Sequence, residues 1–178
     1  MQVQYKFSET EIKKLLKENI VILVDTREQE NKHITDFFDN KGINYISKKL
    51  DAGDYSIKLT TREDMGIQRD MYFQISIEKK NSVDELASSI KERTRFENEF
   101  IRAQASGTKF YLLVEEANGY ENILKGNYRS MYEAKAFMAS LKAFESRYNF
   151  GTTFLDKKLS GDFIYRTLLY GLREYLLK

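Results

Sequence analysis

MYFQISIEKKNSVDELASSI, residues 71–90, decides how the chain is read. Phe73, Ile75 and Ile77 alternate with Gln74, Ser76 and Glu78, the period of a strand with one face packed. Val83, Leu86, Ala87 and Ile90 then fall at i, i+3, i+4 and i+7, one buried stripe on a helix. Glu78 and Lys80 are two apart and share a strand face, because side chains on a strand alternate. A carboxylate and an ammonium therefore stand together where the strand over 71–78 runs out.

The same alternation of strand and helix extends in both directions. Ser8 and Glu11 have capping-box spacing and open a short helix through KLLKEN. IVILVDT (20–26) is a continuous apolar run that stops at Asp25, as expected of a central strand buried on both faces. HITDFFDNKG reads as a helix closed by Gly42, and INYISKKL and DYSIKLT flank the turn DAG as candidate strands. Beyond residue 90, Thr94 and Glu97 predict a second capped helix start, with Phe96, Phe100 and Ala103 on its buried face. KFYLLVEE (109–116) is another apolar strand ending in acids, and ANGYENILKGNYRSMY is expected to be a loop. A helix, the strand NFGTTFLD and a closing helix SGDFIYRTLLYGLREYLLK complete the chain. Strands and helices in this order predict an α/β fold with a central mixed sheet flanked by helices.

Composition narrows the chemistry. The 178 residues carry 29 basic and 27 acidic side chains, a net charge of 29 − 27 = +2, so no global field announces nucleic acid or membrane. There is no cysteine and a single histidine, His33, which excludes thiolate zinc sites and cysteine nucleophiles and leaves His-rich metal sites without ligands. His33, at a helix start, reads as solvated. The N-terminus lacks an apolar signal core, and no run of about 18 apolar residues exists. A soluble, intracellular (cytoplasmic) protein is expected. Its chemistry would rest on carboxylates, lysines and a borrowed metal.

Asp25, Asp54, Glu78 and Asp84 all fall at strand ends or turns. Taken singly, such acids usually cap helices or face water. Together, two carboxylates converging from adjacent strands suit Mg²⁺ or Mn²⁺, hard ions that take few protein ligands. With Lys80 beside them, they suit phosphodiester hydrolysis.

VDTRE (24–28), GDY (53–55) and IEKKNSVDEL (77–86) together resemble the nuclease domain of XPF-type structure-specific endonucleases, with its signature GDx…ERKxxxD. TRFENEF (94–100) and the closing helix extend the resemblance over most of residues 20–177. It implies a restriction-endonuclease-like, PD-(D/E)xK three-layer fold over residues 20–178, with residues 1–19 as a helical N-terminal extension. It implies a metal held by Asp54, Glu78 and the backbone carbonyl of Lys79, with Lys80 near the attacking water. Asp25 and Asp84 would be supporting acids, and Arg27 and Arg95 would stabilise the site or grip a phosphate. Lys79 replaces the motif's arginine, and Thr94 and Glu99 replace a glycine and a glutamine. No helix-hairpin-helix pair follows the match. The reading is a Mg²⁺- or Mn²⁺-dependent DNA endonuclease of recombination, repair or replication, in a phage or bacterial setting. The alternative is a non-catalytic DNA- or partner-binding module of the same fold.

Two further expectations concern surfaces. Tyr128 and Arg129, interleaved with Tyr132 and Lys135, suit stacking on bases and neutralising phosphates; the competing reading packs these tyrosines on the sheet. In the closing helix, Tyr165, Leu169 and Leu176 form a second apolar stripe beside Ile164, Leu168, Leu172 and Tyr175. That pattern calls for either a homodimer through the C-terminal helices or cover from the helix at 131–148.

Overall fold

Strand β1 (Ile20–Val24) is buried along its whole length, as its unbroken apolar run requires. The computed structural model describes residues 6–178. In chain order, the elements around β1 are α1 (Glu9–Glu18), α2 (Lys32–Lys41), β2 (Tyr45–Ser47), β3 (Tyr55–Leu59), β4 (Met71–Tyr72) and β5 (Ile75–Lys80). They continue with α3 (Val83–Lys91), α4 (Arg93–Ala105), β6 (Lys109–Val114), α5 (Gly119–Lys125), α6 (Ala134–Tyr148), β7 (Gly151–Phe154) and α7 (Ser160–Leu177). The sheet runs β2-β1-β3-β5-β6-β7, with β4 pairing β3 beside that path. β1 and β2 are parallel, β3 is antiparallel to both β1 and β5, and β5, β6 and β7 are parallel, so the sheet is mixed as expected.

Strand alternation divides the core into two layers. Ile22, Val24, Tyr55, Ile57, Ile75 and Ile77 face one side, where they meet Ile12 and Leu15 of α1, Phe38 of α2 and Leu168 and Leu172 of α7. Phe110, Leu112 and Val114 face the other, against Leu86 and Ile90 of α3, Phe100 of α4, Ile123 of α5 and Phe144 of α6. Helix α1 packs Ile12 and Leu15 into the first core and opens on the Ser8–Glu11 capping box read in the sequence; residues 1–5 of the expected N-terminal extension lie outside the described residues. Because Ile75 and Ile77 face the first layer, Ser76, Glu78 and Lys80 must face the second, where α3 and α4 stand.

Four expectations change in detail. The strand over 71–78 is two strands, since Met71 and Tyr72 pair with Leu59 and Lys58 while β5 meets β3 only at Tyr55–Ile77. The helix expected to be capped at Thr94 starts at Arg93, with no side-chain cap. Its Glu97 instead accepts a hydrogen bond from the Tyr148 hydroxyl, at 2.9 Å, and pairs with Arg93 and Arg147. The expected loop after β6 contains α5, anchored by buried Ile123 and ended by Gly126 in the left-handed region.

The fourth change concerns α7. Tyr165 and Leu169 of its second stripe, with Phe163 and Leu177, are half-buried against the core that α1 and α2 complete, and Leu176 is fully buried. Gly161 lets α2 come close, since a Cβ there would lie 2.7 Å from the Phe37 ring. The cover comes from α1 and α2 rather than α6, which sits on the opposite face of the sheet. Only Arg166, Tyr170 and Glu174 remain as an outward stripe along the helix, with Tyr175 part-exposed at its end.

Candidate active site

The C-terminal ends of β1 and β5 and the start of β3 meet in the middle of the sheet, at one end of its strands. The Asp25 N–H donates to the Asp54 carbonyl at 2.8 Å, and the Asp54 N–H donates to the Ile77 carbonyl at 2.8 Å. Gly53 makes the approach possible: its φ is +76°, and a Cβ there would lie 2.0 Å from Ser76 Oγ. Asp54 then turns its carboxylate onto β5, where Oδ2 accepts the Lys79 N–H at 2.8 Å. On either side of Lys79, Glu78 Oε1 lies 3.1 Å from Lys80 Nζ, and both side chains are largely buried. The shared strand face read from the sequence is thus an ion pair.

Around them lies a cavity of about 430 Å³, lined by β1–α2 loop residues, the end of β5, and α3 and α4. Eight carboxylates and four cations line it, so it favours a cation. Burial raises the Asp54 pKa to about 6, opposed by the Lys79 N–H and the Lys80 charge. Burial and then the charge of Asp54 hold Glu78 well above the ordinary carboxylate range. Burial also raises Glu28 to about 7, with Asp54 adding to the shift. For Lys80, burial pulls the pKa down, but attraction from Glu78, helped by Glu85 and Glu99, leaves it raised. Lys80 is therefore an ammonium throughout the neutral range.

These carboxyl shifts make a stability prediction. A carboxyl whose pKa is raised by folding binds protons more tightly in the native state. Its contribution is therefore present below the unfolded pKa of about 4 and is lost as pH rises through the folded value. Without divalent metal, stability should fall between about pH 4 and pH 7 on account of Asp54, Glu78 and Glu28. Asp54→Asn keeps an acceptor for the Lys79 N–H, and should raise stability at pH 8 in chelator by about 1–2 kcal/mol. Urea unfolding of both proteins at pH 5 and pH 8 checks this; equal stability at both pH values would contradict the raised carboxyl pKa values.

The structure separates the residues that the sequence grouped. Asp54, Glu78, Lys79, Lys80, Asp25, Arg27 and Arg95 all line the cavity. Asp25 is buried but committed to structure. Its carboxylate accepts from Arg27 Nε at 2.9 Å, from the Arg27 N–H at 2.9 Å and from the Leu50 N–H at 2.7 Å. Burial works against ionisation there, yet these donors hold its pKa below the usual range. Asp84 does not join the site. Neighbouring side chains on a helix diverge, so Glu85 of α3 lines the cavity while Asp84 accepts the Arg129 and Ser130 N–H groups at 2.9 and 2.8 Å. Tyr128 does not stand free for bases: it packs on Phe137 and donates its hydroxyl to the Tyr132 carbonyl at 2.5 Å. Arg129 remains exposed beside Asp84, away from the cavity lining.

The sequence reading missed the base of the site. It used Lys79 only for its carbonyl, but the Lys79 side chain is almost fully buried. Its Nζ lies 2.5 Å from Asn81 Oδ1, 3.3 Å from Glu115 Oε1 and 3.7 Å from Glu28 Oε1. Glu115 also lies 2.5 Å from His33 Nε2 and accepts from Ser160 Oγ at 2.6 Å, so His33 is tied into the structure rather than solvated. Among the described residues, Glu28 Oε2 and the Tyr55 hydroxyl are buried without a hydrogen-bond partner within normal geometry. The acids ending KFYLLVEE were the one visible signal of this network.

Any ion here would meet an all-oxygen donor set of Asp54, Glu78 and the Lys79 main chain, which fits Mg²⁺ or Mn²⁺ and not zinc. Among the described residues no three acidic or histidine side chains form a ready cluster, so water would complete the shell of such an ion.

Comparisons with known proteins agree with this architecture. Solved structures of XPF from Aeropyrum pernix match with a TM-score of 0.58 at 21% identity, over 87% of this chain and 69% of that one. A second, of XPF from Aeropyrum pernix in complex with DNA, matches with a TM-score of 0.58 at 20% identity, over 87% of this chain and 66% of that one. These likenesses show the restriction-endonuclease-like fold, and this chain spans about two thirds of each neighbour. No curated protein sequence matches the chain. The ERCC4 domain model, however, matches residues 24–167, a stretch that begins one residue before Asp25 and takes in the whole cavity and the first turns of α7; the chain belongs to the ERCC4 domain family.

Proposed function

We propose that this chain is a divalent-metal-dependent DNA endonuclease that hydrolyses phosphodiester bonds in structured DNA during recombination, repair or replication. The observation that carries the proposal is the buried Glu78–Lys80 ion pair beside Asp54, facing an acidic cavity. Burying an ion pair is costly and seldom stabilises a fold as much as apolar packing would. A module that only bound DNA or a partner would have no use for that cost, nor for a cavity that repels phosphate. This favours the enzyme over the non-catalytic reading.

A Mg²⁺ or Mn²⁺ ion held by Asp54, Glu78 and the Lys79 carbonyl would supply charge for the phosphate and acidify an attacking water. The protein's own part is positional. Lys80, kept charged by Glu78, orients the water and steadies charge on the phosphate; an ammonium does not accept the water's proton. Asp54 is fixed by the Lys79 N–H, and Lys79 is fixed by its buried partners, so the donor set is preorganised. Arg27, braced by Asp25, projects its exposed guanidinium into the cavity mouth toward phosphate.

Labelled linear, flap, fork and four-way DNAs incubated with protein and Mg²⁺ or Mn²⁺ test the proposal; cleavage of at least one is expected, and no cleavage of any would remove it. The homodimer expected through α7 has a narrower basis now that α1 and α2 cover the second stripe, and the catalytic proposal does not depend on a second copy. Light scattering at roughly 100 μM protein decides it: twice the chain mass keeps the dimer, and the chain mass alone removes it.

A further inference from the structure

A second concavity, of about 440 Å³, adjoins the acidic one and has the opposite character. Arg27, Thr94, Arg95, Asn98, Glu99 and Arg102 line it, three guanidinium groups against one carboxylate. Arg27, Arg95 and Glu99 belong to both cavities, so the two are continuous. We propose that Arg27, Arg95 and Arg102 form a cradle for a non-scissile backbone phosphate, holding the cut strand on the α4 side of the metal cavity. The inference rests on the nuclease reading above and adds the direction in which the strand leaves the site.

The helix sets the spacing. Arg95, Glu99 and Arg102 stand at i, i+4 and i+7 on one face of α4. The arginines also have donors to spare. Arg102 spends only Nε, on the Asp51 carbonyl at 3.1 Å, and its two terminal nitrogens have no partner among the described residues. Arg95 is exposed and, among the described residues, pairs only with Glu92, at 3.8 Å. Arg27 gives Nε to Asp25, and shares one terminal nitrogen between Asp25 and the Leu50 carbonyl. The braces on Arg27 and Arg102 aim planar forks suited to phosphate oxygens while leaving part of each open.

Charge supplies the reason for the placement. The first cavity holds twice as many carboxylates as cations, so a polyanion gains nothing there beyond the one phosphate that a metal would neutralise. Flanking phosphates need a positive surface within a nucleotide or two, and the arginine cleft is continuous with the site. Glu99, between Arg95 and Arg102, limits the attraction to a net 3 − 1 = +2 in the cleft. That excess is enough to hold a phosphate but not to bind duplex DNA tightly, so binding should be weak, with a log–log salt slope of only about two to three.

The test is a binding titration of intact protein with fluorescent DNA in Ca²⁺, with cleavage in Mg²⁺ measured separately. Arg102→Gln should weaken binding about tenfold, equally for unrelated sequences, and reduce the log–log salt slope by about one. Arg102→Lys, which keeps the charge and loses the fork, should fall between. A scan placing one neutral methylphosphonate along the cut strand should find a position that weakens wild type as much as Arg102→Gln does. At that position the two changes should not add. Matched thermal unfolding of both variants shows that the fold is kept. Wild-type affinity and salt slope in Arg102→Gln, or full additivity at every position, overturns the cradle even if DNA is cut. Arg102-dependent binding by a protein that cuts no DNA keeps the cradle and removes the nuclease reading instead.

Discussion

Glu78→Gln and Asp54→Asn should each slow DNA cleavage by about 10³-fold, with Lys80→Ala close behind at about 10²–10³. Each removes a charge from a site whose geometry is already fixed, so the loss falls on the chemical step rather than on folding. The amide in Asp54→Asn can still accept the Lys79 N–H that holds strand ends β3 and β5 together. In Glu78→Gln the amide oxygen can still accept from Lys80, so its ammonium is not left alone in a buried place. Single-turnover cleavage rates alongside circular dichroism separate the two effects. A Glu78→Gln protein that folds and cuts at the wild-type rate would place the chemistry elsewhere.

The second large effect concerns the metal and pH together. Excess chelator should abolish cleavage, and Mg²⁺ or Mn²⁺ should restore it. Ca²⁺ should support DNA binding with little cleavage, because its looser coordination positions water less well. The acidic excess of the cavity explains why the dependence should be absolute: a phosphate cannot approach eight carboxylates without a compensating cation. Those carboxylates must also be free of protons to take the cation. Burial puts Asp54 at about 6 and Glu28 at about 7, and holds Glu78 high. Cleavage at limiting Mg²⁺ should therefore climb between about pH 6 and pH 8, and saturating metal should shift the rise to lower pH. A rate that is flat over this range at limiting metal would contradict the assignment of Asp54 and Glu78 to the metal.

Much of this was legible in the chain because one-dimensional periodicity carries it. The alternation of Phe73, Ile75 and Ile77 places Glu78 and Lys80 on one strand face, and the unbroken run IVILV marks a doubly covered strand. Gly53 before Asp54 marks a turn that only a residue without Cβ can make. What was not legible depends on which way a side chain turns off a known element. Asp84 and Glu85 are adjacent in sequence, yet the roughly 100° between helix neighbours sends one to a loop and the other to the cavity. Lys79 alternates away from Glu78, so its side chain meets Glu115 and Glu28 from other elements, pairings that no local pattern encodes. His33 reads as solvated until β6 brings Glu115 to it. The second stripe of α7 reads as unpartnered until α1 and α2, distant in sequence, fold over it. Arg102 carried no signal at all, because its meaning comes from the neighbouring cavity.

The claim at the centre of the account is that Asp54 and Glu78 hold one divalent ion on which cleavage depends. Titrating the protein with Mn²⁺ by calorimetry, while following single-turnover cleavage over the same concentrations, tests it most directly. The account predicts one ion per chain, cleavage that saturates with the binding curve, and loss of both in Asp54→Asn and Glu78→Gln. Full cleavage with no ion bound, or unchanged binding of the ion by Asp54→Asn, would contradict it.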